Sequence, residues 1–162
     1  MKTVSKKIVL LGNEGVGKTS LVKRYVHSIF NDEYLTTIGI KISKKVVQVG
    51  DVSVNLMLWD IAGNMMSKTL YNNYLKGAHG VFLVCDAMRP ETYKNIMIEK
   101  EVITSKDFKN TTTSVIINKS DLITEDPDTY LANYEYDFLT SAKEGNNVER
   151  AFQEMAANIL LK

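Results

Sequence analysis

One cysteine, two prolines and two histidines among 162 residues leave little room for several kinds of chemistry. The lone Cys85 excludes an intrachain disulfide and fits a reducing compartment. Set inside V-F-L-V-C, it reads as a buried structural thiol rather than a reactive one. His27 and His79 stand apart from each other and from the cysteine. No zinc-ligand spacing, Ser/His/Asp set or pair of catalytic carboxylates is present, so zinc-hydrolase and nucleophilic hydrolase chemistries have no carrier. Charge of one sign is also missing. Twenty basic residues against nineteen acidic give a net charge of +1. That balance lacks the footprint of a nucleic-acid or anionic-lipid binder. Lys6–Lys7 and Lys44–Lys45 are local basic clusters, and both read as solvated strand ends. No apolar run approaches membrane-spanning length, and no signal-peptide pattern opens the chain. The expectation is a cytoplasmic, monomeric protein without membrane insertion, meeting membranes only through partners or through a C-terminal segment outside these residues. Repeats, low-complexity stretches and linkers are absent, Pro90 and Pro127 sit in loop-like contexts, and 44% hydrophobic residues can build one core. A single domain over 1–162 is expected.

Gly12–Thr19, G-N-E-G-V-G-K-T, fills every fixed position of G-x-x-x-x-G-K-[ST]. The glycines let the backbone wrap a polyphosphate so that successive N–H groups point at its oxygens. Lys18 adds a point charge, and the Thr19 hydroxyl is placed to hold Mg²⁺. The flanks agree. Lys7–Leu11 is a short apolar run suited to a buried strand. Lys18–Ile29 carries Leu21, Val22, Tyr25, Val26 and Ile29 at helical spacing. A strand, a glycine loop and a helix put phosphates on a helix N-terminus, where unpaired N–H groups and the macrodipole favour anions. The loop specifies a nucleotide without saying which.

Further elements follow from periodicity. Phe30–Gly39 has no clear period. Ile40–Val49 and Val52–Asp60 flank the turn signal Gly50-Asp51, which predicts an antiparallel hairpin. In its second arm Val52, Val54, Leu56 and Leu58 alternate with Ser53, Asn55 and Met57. Gly80–Cys85 and Ser114–Ile117 read as strands covered on both faces, and Phe138–Leu139 as a weak last strand. Helices are predicted over Ser67–Leu75, Glu91–Thr104 and Asn147–Leu161. The last carries an apolar stripe of Val148, Phe152, Met155, Ala156, Ile159 and Leu160, with Asn146 or Asn147 able to cap it. Alternating strands and helices imply an α/β fold: a mostly parallel six-stranded sheet, one antiparallel edge strand and helices on both faces. Ligands of such sheets gather at the carboxyl ends of the strands.

Three more motifs fall at those ends. W-D-I-A-G at Trp59–Gly63 closes the hairpin's second arm. Asp60 there is a candidate to anchor Mg²⁺ through water, and Gly63 lets a backbone N–H approach a terminal phosphate. Alone, the motif also fits a plain strand-to-turn transition. N-K-S-D at Asn118–Asp121 offers an ionised carboxylate, Asp121, able to accept from a ring N1–H and an exocyclic amine together. Guanine presents that donor pair and adenine does not. Asn118 can bridge base and phosphate loop, and the Lys119 stem can lie over a ring face. As a lone tetrapeptide it fits a polar turn equally. S-A-K at Ser141–Lys143 places the Ala142 N–H where it can donate to guanine O6.

In this order and over essentially the whole chain, the four motifs resemble the small GTPases of the Ras superfamily. T-T-I-G-I at Thr36–Ile40, W-D-I-A-G and Y-L-K-G-A-H-G at Tyr74–Gly80 are most similar to the Rab branch. The resemblance implies a P-loop G-domain that binds GTP or GDP with Mg²⁺ and hydrolyses GTP. It implies phosphate contacts from Glu14, Gly15, Val16, Gly17, Lys18, Thr19 and Ser20, and Mg²⁺ ligation by Thr19 and Thr37 with Asp60. Phe30, twelve residues after Lys18 and seven before Thr37, matches the aromatic that packs edgewise on the base. Tyr34, Leu122, Ser141 and Lys143 complete the implied nucleotide contacts, and Thr37 with Gly63 would grip the γ-phosphate. The segments Asn31–Ile40 and Asp60–Leu75 would order with GTP and relax with GDP, presenting surfaces to effectors, an exchange factor and an activating protein. Catalysis would be positioning plus charge stabilisation, with Lys18 at the phosphates and Asn64 orienting the attacking water.

The chain departs from that pattern in places. Asn64 stands where the family most often has glutamine, one methylene longer, and a shift on the order of 1 Å costs about 10²-fold where positioning is the mechanism. Glu14 occupies a position usually small and close to the γ-phosphate. Both predict slow hydrolysis with ordinary guanine-nucleotide binding; a GTP-loaded scaffold that hardly hydrolyses is the alternative. Met65, Met66 and Leu75 also replace residues typical of Rab proteins. Only Leu122–Thr140 separates N-K-S-D from S-A-K, and Pro127 with its acidic neighbours predicts a shortened or absent helix there. The sequence stops at Lys162 without the cysteines that receive prenyl groups, which predicts either a truncated chain or one without a lipid anchor.

Overall fold

A computed structural model describes residues 2–26, 33–37, 39–63 and 68–162, with the backbone alone for 33–37, 68–71 and 106. The strands are β1 (Lys2–Leu11), β2 (Glu33–Thr37), β3 (Ile40–Val49), β4 (Val52–Ile61), β5 (Gly80–Asp86), β6 (Thr112–Asn118) and β7 (Phe138–Leu139). They form one sheet in the order β2-β3-β4-β1-β5-β6-β7. β2–β3 and β3–β4 pair antiparallel; the remaining pairs are parallel. The helices are α1 (Lys18–Val26), α2 (Lys68–Leu75), α3 (Pro90–Ile103), α4 (Pro127–Tyr130) and α5 (Val148–Leu160). All six expected strands are present. The seventh, β2, lies at the edge beyond the hairpin, where pairing with β3 gives strand geometry to a segment whose sequence carries no period of its own.

Pleating explains the two cores. On β1, Ile8 and Leu10 face the layer holding α1 and α5, whereas Val9 and Leu11 face the layer with α3. Burial on both faces is why this run is apolar without alternation. β1 also starts earlier than Lys7, because its polar first half, Lys2–Lys6, pairs with β4 in register Lys2↔Val52 to Lys6↔Leu56. In the first core Tyr25 stacks on Phe152 with centroids 4.1 Å apart, and Phe82 meets Phe152 edge-on at 5.0 Å.

Two local expectations are corrected. Asn147 precedes α5 in a left-handed conformation with φ 58° and makes no side-chain cap; its amide donates instead to the Leu139 carbonyl at 2.8 Å, tying α5 to β7. Lys7 and Lys45 are not simply solvated. Lys7 Nζ lies 3.9 Å over the Trp59 ring and donates to the Lys76 carbonyl, while Lys45 Nζ lies 3.7 Å over Tyr25 and 3.5 Å from Glu149. The shortened helix between Asp121 and Ser141 is present as predicted: α4 is a single turn, capped by the Asp126 carboxylate accepting from the Thr129 N–H at 3.0 Å. It still anchors the edge, since the Tyr130 hydroxyl donates to the Ala87 carbonyl at 2.9 Å. Among the described residues no helix is long and apolar enough to cross a membrane.

Candidate functional site

The loop between β1 and α1 is surrounded by the carboxyl ends of β4, β5, β6 and β7, so residues far apart in sequence close around it. Lys18, only 6% exposed, donates through Nζ to the Gly12 carbonyl at 2.7 Å and the Asn13 carbonyl at 3.1 Å. Two of its three protons are thereby fixed, and the third remains for an anion in the loop. Burial lowers the Lys18 pKa, opposed by the negative charges of Asp60 and Glu14. The Cys85 thiol is buried, as expected, and burial pushes its pKa up to about 12.

β4 delivers Asp60 to the same place. The Thr19 hydroxyl donates to Asp60 Oδ2 at 2.5 Å, although the two residues are 41 positions apart. Gly63 then lies directly on the loop: a Cβ there would fall 2.2 Å from the Glu14 nitrogen and 2.8 Å from the Gly12 carbonyl oxygen. Only a glycine admits that approach. The Ala62 N–H donates to the Gly39 carbonyl at 2.7 Å, joining the roots of the two segments that flank the loop.

Asn118, at the end of β6 and 1% exposed, is the hub of the opposite side. Its amide nitrogen donates to the Val16 carbonyl at 3.0 Å, and its Oδ1 accepts from the Thr140 hydroxyl at 3.0 Å and the Ala142 N–H at 3.2 Å. Asn118 therefore bridges the phosphate loop to the Ser141–Lys143 loop. Its packing also explains Gly17, which has φ 105°: a Cβ there would meet the Asn118 amide at 2.2 Å. Ser141, fully buried, donates to Asp121 Oδ1 at 2.8 Å and accepts from the Glu144 N–H, so it orients the carboxylate from behind. Beside these groups opens a pocket of about 660 Å³, lined among others by Gly17, Ser20, Asn118, Lys119, Asp121 and Leu122. Ala142 and Lys143 also line it.

Three residues at the site escaped the sequence reading. Arg24 donates through Nε to the Ala142 carbonyl at 2.9 Å and through Nη2 to the Lys143 carbonyl, clasping that loop onto α1. Asp86, at the end of β5, pairs with Lys119 at 2.7 Å and with Arg89 at 3.1 Å. Burial would raise the Asp86 carboxyl, but the bonds from Lys119, the Met88 N–H and Arg89 outweigh it and hold the pKa below the usual carboxylate value. The carboxylate at the end of an apolar strand was the available signal for Asp86. Arg24 and Arg89 reach partners 118 and 75 positions away, so no local pattern marks them.

Phe30 and Asn64, with His27, Met65 and Met66, lie outside the described residues. Tyr34 and Thr37 are placed only as backbone in β2. His79 is structural: its Nδ1 accepts from the Lys7 N–H at 3.0 Å, and burial with the charges of Lys6 and Lys7 lowers its pKa.

A comparison with protein-family models matches the Ras family over residues 7–161. The match spans the phosphate loop, the Asp60–Gly63 segment, the Asn118 hub and the Ser141–Lys143 loop, which the fold brings to one end of the sheet. The chain belongs to the Ras family, and is a small GTPase.

Proposed function

We propose that this GTPase is a Rab-like switch that binds GTP and GDP with Mg²⁺ and hydrolyses GTP slowly. The observation that carries the switch reading is the seat of Gly63 on the loop at Asn13–Glu14, together with the Thr19–Asp60 hydrogen bond. A backbone N–H held that close to the phosphate loop meets a third phosphate and not a second. Asp121, oriented by Ser141, selects guanine through the N1–H and 2-amino group, with Lys119, Leu122, Ala142 and Lys143 around the ring.

Thr19 and Asp60 fit a Mg²⁺ site in their chemistry: a hydroxyl and a carboxylate already in contact, both oxygen donors. Among the described residues no cluster of three or more metal-ligating side chains forms an all-protein cage. Thr19 and Asp60 would hold the ion, and Thr37 is the further ligand the family pattern supplies. Bound there, the ion neutralises phosphate charge. Lys18 and the loop N–H groups hold the phosphates in line, and Asn64 orients water.

Slow turnover rests on Asn64 and Glu14. The Glu14 side chain is exposed, yet its charge is felt at Lys18. A carboxylate about 6 Å from a phosphate oxygen at an effective dielectric near 20 opposes it by about 3 kcal/mol, and solvent screening reduces this to about 1 kcal/mol or less. The same two residues favour a second reading, a GTP-loaded interaction scaffold with negligible hydrolysis. Single-turnover hydrolysis by the wild type, Asn64→Gln and Glu14→Gly tests both. A rate gain in either variant supports the slow switch, and no gain in either removes the assignment of those residues. GTP retained through purification supports the scaffold, whereas GDP supports turnover. Effectors and regulators would read the two segments at Asn31–Ile40 and Asp60–Leu75.

A further inference from the structure

We propose that Arg89 is a positioning residue that sets how long bound guanine nucleotide stays. It latches the crest of the phosphate loop to the lysine beside the base. The inference rests on the guanine-nucleotide reading of the site above.

Arg89 precedes Pro90, the first residue of α3, so its backbone is fixed at a helix entrance. Its guanidinium forks. Nε donates to Asp86 Oδ2 at 3.1 Å, and Nη2 donates to the Glu14 carbonyl oxygen at 2.9 Å. The same Asp86 Oδ2 receives Lys119 Nζ at 2.7 Å. One buried carboxylate oxygen therefore joins two cations, one aimed at the crest of the loop and the other lining the base pocket. Asp86 is locked in turn. Its Oδ1 accepts from the Met88 N–H at 2.9 Å, and its own N–H donates to the Thr92 hydroxyl at 3.0 Å. The Glu14–Gly15 crest is the exposed part of the loop, and a Cβ at Gly15 would stand 3.4 Å from Arg89 Nη2.

Nucleotide leaves when the loop loosens around the phosphates and the base slides from its pocket. With the fork in place, movement of the crest breaks a charge-assisted hydrogen bond and disturbs the Asp86–Lys119 pair at once. A lysine at this position offers one terminal nitrogen in place of the two guanidinium nitrogens that make these bonds, so the geometry of the fork is lost. The latch is thus a matter of guanidinium geometry and not of charge alone.

The test measures association and release of a fluorescent GDP on the wild type, Arg89→Ala and Arg89→Lys by stopped flow. Loss of one charge-assisted bond to the loop speeds release about tenfold in Arg89→Ala. Association stays within about twofold, because the open loop is the same in both proteins. Damage to the site as a whole would instead slow association and lower the binding-competent fraction. Arg89→Lys releases as fast as Arg89→Ala within about threefold. The proposal is overturned if Arg89→Ala retains nucleotide like the wild type, if lysine restores retention, or if association falls along with retention. Should the wild type itself fail to bind guanine nucleotide, the functional reading falls before the latch is tested.

Discussion

On the proposed switch reading, replacing Gly63 with alanine isolates the contact that would separate the GTP state from the GDP state. The added Cβ would lie 2.2 Å from the Glu14 nitrogen, 2.5 Å from the Asn13 carbonyl carbon and 2.8 Å from the Gly12 carbonyl oxygen. All three are backbone atoms of the phosphate loop, so no side chain can rotate out of the way. Non-bonded carbon contacts settle at about 3.5–4.0 Å, so the Gly63 backbone must retreat by on the order of 1 Å. Its φ is not in the left-handed region, so alanine is disfavoured by the contact and not by strain of its own backbone. Retreat would remove the N–H bond to a terminal phosphate oxygen that the switch reading gives Gly63, a charge-assisted bond worth about 1.5–3 kcal/mol. Gly63→Ala should therefore lower affinity for a non-hydrolysable GTP analogue relative to GDP by about 10- to 100-fold, and leave GDP release within about threefold of wild type. Displacement of a fluorescent nucleotide reads both quantities. An unchanged ratio of analogue to GDP affinity would refute the argument that this contact senses the third phosphate.

Asn118→Ala should loosen nucleotide about 10²-fold or more, because it leaves the Val16 carbonyl, the Thr140 hydroxyl and the Ala142 N–H without their partner, each worth about 1 kcal/mol or more. Equilibrium binding of GDP checks it. Phe152→Ala should destabilise the nucleotide-loaded protein by about 3–5 kcal/mol, since Tyr25 and Phe82 both pack on that ring, and urea unfolding measures the loss. Asp86 has a folded-state pKa below its unfolded value, so its contribution is complete above the ordinary carboxylate pKa and is lost as the pH falls through the lowered value. Thermal unfolding between pH 6 and 3 should fall more steeply for the wild type than for Asp86→Asn.

Much of this architecture was legible because its causes are local. The glycine loop, the Gly50-Asp51 turn, the alternation in β4 and the stripe on α5 each carry their own period or turn chemistry. The single turn of α4 was legible too, from Pro127 and the missing helical period. What escaped is tertiary in origin. β2 is a strand because β3 offers an edge, and the polar start of β1 is a strand because β4 runs alongside it. Asn147 gives up its cap for the Leu139 carbonyl, a partner eight residues back. The site divides in the same way. Its motif residues announce themselves, whereas Arg24 and Arg89 reach loop carbonyls 118 and 75 positions away and Asp86 pairs with Lys119 on the neighbouring strand's end. Lys7 and Lys45 make the same point on the surface, where aromatic faces hold charges that read as solvated.

Guanine selection at Asp121 is the claim on which the account stands most heavily. Competition of GDP, xanthosine diphosphate and ADP against a fluorescent guanine nucleotide tests it directly. A carboxylate fixed by Ser141 and matched to a paired donor edge predicts GDP bound tighter than either competitor by about 10⁴-fold. Equal displacement by ADP or xanthosine diphosphate would contradict it.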